Sequence, residues 1–215
     1  MQKLIGFTLF LALFAVCGNS YASTLYTDLT SFLNNSSTPT VIDFEENAAG
    51  GFTNHGTGPA IFSGVNFTGS SVYTVDPDFS PGFYEWGTGD VMIDAFGVGT
   101  ILATLPGGYT AVGSDIMSFE PEAANFDITL STGEIFNVST ALRPNQTFVG
   151  FISDVPLTSL SFAVKSGNNP VIDNFRFGSA LDHNGGTAVP EPATIFLTGM
   201  GLLSLIGSRF RRSSV

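Results

Sequence analysis

Hydrophobic positions along this chain come in short runs, and most of the runs alternate with polar residues. Phe126, Ile128 and Leu130 fall on every second position, as do Leu160, Phe162 and Val164, and then Phe175 and Phe177. A period of two sends successive side chains to opposite faces and predicts half-buried strands. The same reading predicts strands at Val41–Glu45, Ile61–Thr68, Val72–Val75, Val91–Asp94, Thr100–Leu105, Ala111–Glu120, Asn125–Leu130, Ile135–Ser139, Thr147–Ile152, Leu160–Val164 and Val171–Phe177. Ser131-Thr132-Gly133, between two alternating runs, reads as a hairpin turn. One short helix is predicted near the start, capped by Thr27 or Asp28, with Leu25, Leu29, Phe32 and Leu33 on one apolar side. It is expected to cover an open end of the fold and to stop within Asn34–Ser37. The 25 glycines and 21 phenylalanines fit many short strands joined by tight turns. The expected fold is therefore all-β, an antiparallel β-sandwich with a jelly roll as the leading topology. A barrel or β-helix is the alternative, the latter weakened by the lack of a repeat of fixed period.

Two apolar runs break this pattern, one at each end. Lys3 precedes Leu4–Val16, and Ser20-Tyr21-Ala22 supplies small residues before a cleavage point. This is the layout of a secretory signal peptide over residues 1–22, with the mature chain beginning at Ser23. At the other end, Val189-Pro190-Glu191-Pro192 leads into an apolar run from Ala193 to Gly207, followed by Arg209, Arg211 and Arg212. The prolines favour an extended, accessible stretch, the apolar run suits lipid, and the arginines act as a stop-transfer cluster. As a helix, the run reaches only about 22 Å against a hydrocarbon core of roughly 30 Å, which favours a transient inner-membrane tether over a permanent anchor.

The three-part order of residues 189–215 resembles the PEP-CTERM sorting signal of Gram-negative, exopolysaccharide-producing bacteria. The resemblance implies recognition by an exosortase in the inner membrane, and release or transfer of the protein to the cell surface or extracellular matrix. Residues 23–178 are expected to form the sandwich, and 179–188 a flexible linker that presents the motif. Within the body, Val41-Ile42-Asp43-Phe44-Glu45, Gly64-Val65-Asn66-Phe67, Ala111–Asp115, Phe148–Phe151 and Val171-Ile172-Asp173-Asn174-Phe175 resemble sandwich domains that precede this tail. The pattern is also similar to concanavalin-like and carbohydrate-binding jelly rolls.

Charge narrows the partners. Residues 23–192 hold three basic residues, Arg143, Lys165 and Arg176, against all 18 acidic ones, a formal charge of −15. Nucleic acid is excluded as a partner, because phosphate binding needs clustered cations. Anionic polysaccharide is repelled unless a cation bridges it, and calcium is the natural bridge outside the cell. Cys17 lies within the signal peptide, so the mature domain has no disulfide and relies on its core.

Two constellations are candidates for chemistry. Asp43, Glu45, the adjoining Glu46 and Asp173 lie at the first and last predicted strands, which commonly neighbour each other in a sandwich, so their carboxylates, Asp43, Glu45 and Asp173 above all, are a candidate set for structural calcium. The alternative is that Asp43 and Asp173 bond the backbone of adjacent strands while Glu45 is solvated. The second is the segment Asp76–Asp90, where Tyr84, Trp86 and Asp90 combine flat aromatic faces with a carboxylate, as sugar binding requires. The alternative is that its aromatics fold inward. No nucleophile elbow, zinc-binding helix or phosphate loop is present, and His55, in a glycine-rich stretch, reads as ordinary surface. The sequence thus predicts an exported, non-enzymatic surface or matrix protein contacting exopolysaccharide. Its competitors are a glycan-acting enzyme on the same scaffold and a self-associating passenger without a small ligand.

Overall fold

A computed structural model describes residues 22–79, 86, 89–95, 99–165 and 169–181; residues 1–21, Tyr84, the sorting tail and its arginines lie outside them. The described residues hold twelve strands, all paired antiparallel: β1 (Ser23–Tyr26), β2 (Thr40–Ile42), β3 (Phe52–Gly56), β4 (Ala60–Phe62), β5 (Val65–Thr68), β6 (Val72–Val75), β7 (Val91–Asp94), β8 (Thr100–Ser118), β9 (Asn125–Leu130), β10 (Ile135–Ser139), β11 (Thr147–Val164) and β12 (Pro170–Gly178). One helix, α1 (Leu29–Asn34), lies between β1 and β2.

Two long strands make the sandwich. The first half of β8 pairs through Thr100–Thr104 with β5 and with Ser159–Ala163 of β11. Its second half pairs through Ala111–Ser118 with β12 and with Thr147–Ile152 of β11. Between the halves lie Pro106, Gly107 at φ 119° and Gly108 at φ 73°, a glycine conformation that lets the strand turn a corner. The β11 register shifts opposite, between Ile152 and Ser159. One layer therefore runs β10-β9-β11-β8-β5-β4, and the other runs β1-β11-β8-β12-β7-β6-β3, with β2 beside the end of β12. The strands predicted separately at 100–105 and 111–120, and at 147–152 and 160–164, are thus single bent strands.

The alternating residues of both layers meet in one core. Ile101, Ala103, Phe126, Ile128, Leu160 and Phe162 of one layer face Val112, Ile116, Val149, Phe151, Ile172 and Phe175 of the other. The outer face of the second layer carries two smaller clusters. Phe32 of α1 plugs one with Ala111 and Phe148, and Trp86 seals the other over Val75, Val91, Ile93, Met117 and Val171. Asp28 caps α1, its carboxylate accepting the Ser31 N–H at 2.6 Å. The helix sits on a sheet face rather than over an open end, and Leu25 belongs to β1, opposite Phe151, not to the helix.

Buried Asp94 fixes the corner beyond β7. Its side-chain oxygens accept the N–H groups of Ser70, Ser71 and Thr100 at 2.9, 2.8 and 3.1 Å, so the buried polar group is well bonded.

Candidate functional site

The pairing of β2 with β12 brings the chain ends together: Ile42 lies opposite Phe175, and Thr40 opposite Phe177. Beyond Ile42 the chain passes Asp173. Phe44 adopts φ 60° and turns inward, with ring centroids 5.2 Å from Phe62 and 5.3 Å from Phe67. Burial of the ring offsets the cost of this left-handed backbone, and it leaves Asp43 and Glu45 on the exposed side.

The three carboxylates expected to share calcium take different roles. Asp43 is exposed. Asp173 is buried, with Oδ1 accepting the Asn174 N–H at 2.6 Å and Oδ2 accepting the Asn174 and Gln146 side-chain amides, each at 3.0 Å. The Glu45 carboxylate lies against Gly89, in the space an added Cβ there would occupy. Among the described residues, no three His, Cys, Asp or Glu side chains form a group that could hold a metal ion. Both Asp173 oxygens are thus occupied by bonds from Asn174 and Gln146, and the described side chains of Asp43, Glu45 and Asp173 are not grouped around one point.

Glu45 instead associates with Asp90. Desolvation, followed by the charges of Asp90, Asp43 and Asp173, raises the Glu45 carboxyl above its ordinary range. Asp90 is fully buried and its Oδ2 accepts the Asn47 N–H at 2.8 Å. Its carboxyl is also raised, by burial first and then by the charge of Asp76, against the lowering effect of the Asn47 and Glu46 N–H groups. Its buried Oδ1 makes no well-formed hydrogen bond among the described residues, although the Asn47 side-chain amide and the Glu46 N–H lie near enough to lower the carboxyl.

The single histidine of the described residues is not arranged for catalysis. His55 lies on β3, not in a loop, and its Nε2 is 2.9 Å from Glu46 Oε1 and 3.2 Å from Thr74 Oγ1. The Thr74 hydroxyl donates to the same Glu46 oxygen. A proton relay needs nucleophile and carboxylate on opposite ring nitrogens; here both meet one nitrogen, and the contact joins β3, β6 and the segment after β2.

The aromatic segment divides. Trp86 is fully buried, its ring 5.7 Å from Phe119, and Asp90 is buried with it. Neither can meet a sugar at the surface, so the expected platform of Tyr84, Trp86 and Asp90 is replaced at Trp86 and Asp90 by an interior plug; Tyr84 lies outside the described residues. The exposed aromatics stand next to it. Phe52 of β3 and Phe79 are 48% and 39% exposed, with ring centroids 4.6 Å apart, and Tyr73 lies 6.2 Å from Phe52. Asp76 Oδ1 holds this corner by accepting the Gly50 and Asp78 N–H groups, each at 2.8 Å. Phe52 was missed in the sequence because β3 contains Asn54, His55 and Gly56 and reads as a loop, and Tyr73, on the predicted strand Val72–Val75, was missed because its partner strand was. The opposite layer presents Leu102, Thr104, Ser161 and Thr129 outward, and among the described residues that face carries no aromatic ring.

The three basic residues among those described are engaged within the protein. Arg143 donates to the Phe119 carbonyl at 2.6 Å, Lys165 pairs with Asp127 at 3.0 Å, and Arg176 pairs with Asp115 at 3.1 Å. The described surface is thus poorly suited to an anionic ligand.

Comparison with known proteins resolves the tail. Residues 188–212 match the model of the PEP-CTERM protein-sorting motif. The chain carries a PEP-CTERM sorting signal. This PEP-CTERM motif marks an exported protein sorted to the cell envelope of Gram-negative bacteria. No curated protein matches the chain. Among solved structures, the chain is similar to a family 29 carbohydrate-binding module, with 15% identity and a TM-score of 0.35, over 60% of this chain and 90% of that one. It is also similar to CsCBM6-3 from Clostridium stercorarium in complex with cellobiose, at 13% identity and TM-score 0.34, over 67% and 97%. A third similar structure is the CBM22-1 xylan-binding domain from Paenibacillus barcinonensis Xyn10C, at 11% identity and TM-score 0.26, over 67% and 96%. At these values the strand register, rather than the likeness, defines the sandwich.

Proposed function

We propose that this is an exported, non-catalytic surface protein that contacts exopolysaccharide outside a Gram-negative cell. The observation that carries the reading is the sorting motif at residues 188–212. An exosortase recognises Val189-Pro190-Glu191-Pro192, the apolar run holds the chain in the inner membrane during processing, and Arg209, Arg211 and Arg212 stop its transfer. The sandwich then reaches the cell surface or extracellular matrix.

What supports glycan contact is the exposed pair Phe52 and Phe79, backed by half-buried Tyr73, which offers apolar ring faces to sugar C–H groups. With the domain's cations engaged and its formal charge strongly negative, the favoured polysaccharide is uncharged, or anionic and bridged by calcium. For calcium, the support is the nearness of Glu45 to buried Asp90; two carboxylates are an incomplete set among the described side chains, so backbone carbonyls, water or the glycan would supply the remaining oxygens.

Two measurements test this. Removing residues 189–215 is expected to leave the protein in the periplasm; normal surface delivery of that variant would refute the sorting role. Phe52→Ala with Phe79→Ala is expected to weaken retention on the host's own exopolysaccharide by about 2- to 10-fold, from the roughly 0.5–1.5 kcal/mol of an aromatic contact, with no loss of fold. Unchanged retention would remove the pair from the site.

A further inference from the structure

The expected processing point falls between Ala22 and Ser23, and β1 begins at Ser23. The Ser23 backbone nitrogen donates to Glu134 Oε1 at 2.9 Å, and the Ser23 hydroxyl donates to Glu134 Oε2 at 2.5 Å. The Thr132 hydroxyl donates to the same Oε2 at 2.8 Å. Glu134 stands at the base of the β9–β10 turn, in the first layer, whereas β1 lies on the edge of the second. One carboxylate therefore joins the edges of both layers, across 111 positions of sequence. Burial raises the Glu134 carboxyl, but bonds from the Ser23 and Thr132 hydroxyls and the Ser23 N–H outweigh it and hold the group below its ordinary range.

We propose that Glu134 is the receptor for the new amino terminus created by signal-peptide removal. The inference rests on the signal-peptide reading and not on the sorting or glycan readings. Hydrolysis of the Ala22–Ser23 bond consumes one water. It leaves a carboxylate on Ala22, which departs with the leader, and a primary amine on Ser23, protonated at neutral pH. The nitrogen that donated one neutral hydrogen bond then carries a positive charge beside a carboxylate already in place, and the contact becomes an ion pair. Cleavage also removes the Ala22 carbonyl, which accepts the Asp154 N–H at 3.2 Å; Ala22 is exposed, so water replaces it. Asp154 is the other acidic residue near the new terminus, its backbone N–H within reach of Ala22. The processed chain thus closes its own sandwich edge, and the unprocessed chain lacks that ion pair.

The pH dependence follows from both groups. Glu134, held low, contributes above its unfolded value and ceases to contribute as pH falls through its folded value. The ammonium contributes while it is protonated and ceases to contribute once it has lost its proton at higher pH. The benefit is full between roughly pH 4.5 and pH 8.

The test uses protein recovered from the periplasm. Intact mass is expected to place the amino terminus at Ser23; any other terminus overturns the proposal. The α-amine is then labelled with an amine-acylating reagent at pH 7, in wild type and in Glu134→Gln. Labelling is expected to be severalfold slower in wild type, and equal rates overturn the capture. A form retaining Ala22 guards against a misfolded variant. In the wild-type background it is expected to melt lower than the Ser23 form and to label faster; identical behaviour of the two forms also refutes the capture. Surface delivery and glycan retention do not enter these readouts, so their failure is separate.

Discussion

Glu45 shows how a side chain can be exposed and still be a liability. Desolvation beside Gly89, followed by the charge of Asp90, raises its carboxyl. A carboxyl raised in the folded state binds its proton more tightly there than in the unfolded chain, so stability falls as pH rises from the ordinary Glu range through the raised value. Glu45→Gln is therefore expected to raise the melting temperature at pH 7 and to lose that advantage below about pH 4. The gain should be small, about 0.5 kcal/mol or less, because solvent screens an exposed group. A thermal melt series across pH checks it, and a variant less stable than wild type at pH 7 would be the contrary result. Residue roles were partly legible in the sequence. The aromatic and acidic mixture of Asp76–Asp90 suggested sugar contact, but composition cannot tell an inward ring from an outward one. The informative signal was nearby: Val91-Met92-Ile93 is apolar at every position, and all three are buried. A strand buried on both faces needs a cover, and Trp86 is that cover.

Among elements, alternation located most strands and the turn at Ser131-Thr132-Gly133, where Gly133 sits at φ 90°. What it missed was continuity. Pro106-Gly107-Gly108 looks like a break between strands, yet it is the corner of one 19-residue strand. The helix was found with its cap, but its docking surface was not, because that surface is made by what β11 lacks. Gly150 leaves the space that Phe32 fills: an added Cβ would stand 2.6 Å from Phe32 Cδ2 and 2.8 Å from Phe148 Cζ. Gly150→Ala is expected to cost about 1–3 kcal/mol through overpacking and to loosen α1. Denaturant melts measure the first effect and amide exchange of Phe32 and Leu33 the second; unaltered stability would show that the helix yields freely.

At the scale of the molecule, address and body were unequally readable. The tail signals its role through three chemically distinct segments in fixed order, whereas the sandwich achieves its fold with residues that also suit many other ligands. Calcium is a whole-domain question here, since a ligand that binds only the folded form raises its stability. At a concentration ten times its dissociation constant, calcium is expected to stabilise the wild-type domain by about 1.4 kcal/mol, with the shift lost in Glu45→Gln. A melting temperature unmoved by millimolar calcium would dismiss the ion.

The exit of the chain from the domain has a mechanical consequence. β12 is hydrogen-bonded along both sides, to β8 on one and to β2 and β7 on the other. Any pull arriving through the residues after Gly178 enters at a strand clamped from two directions, next to one that spans both layers. Tension on the chain there would act on a strand held by hydrogen bonds on both sides rather than on a free edge.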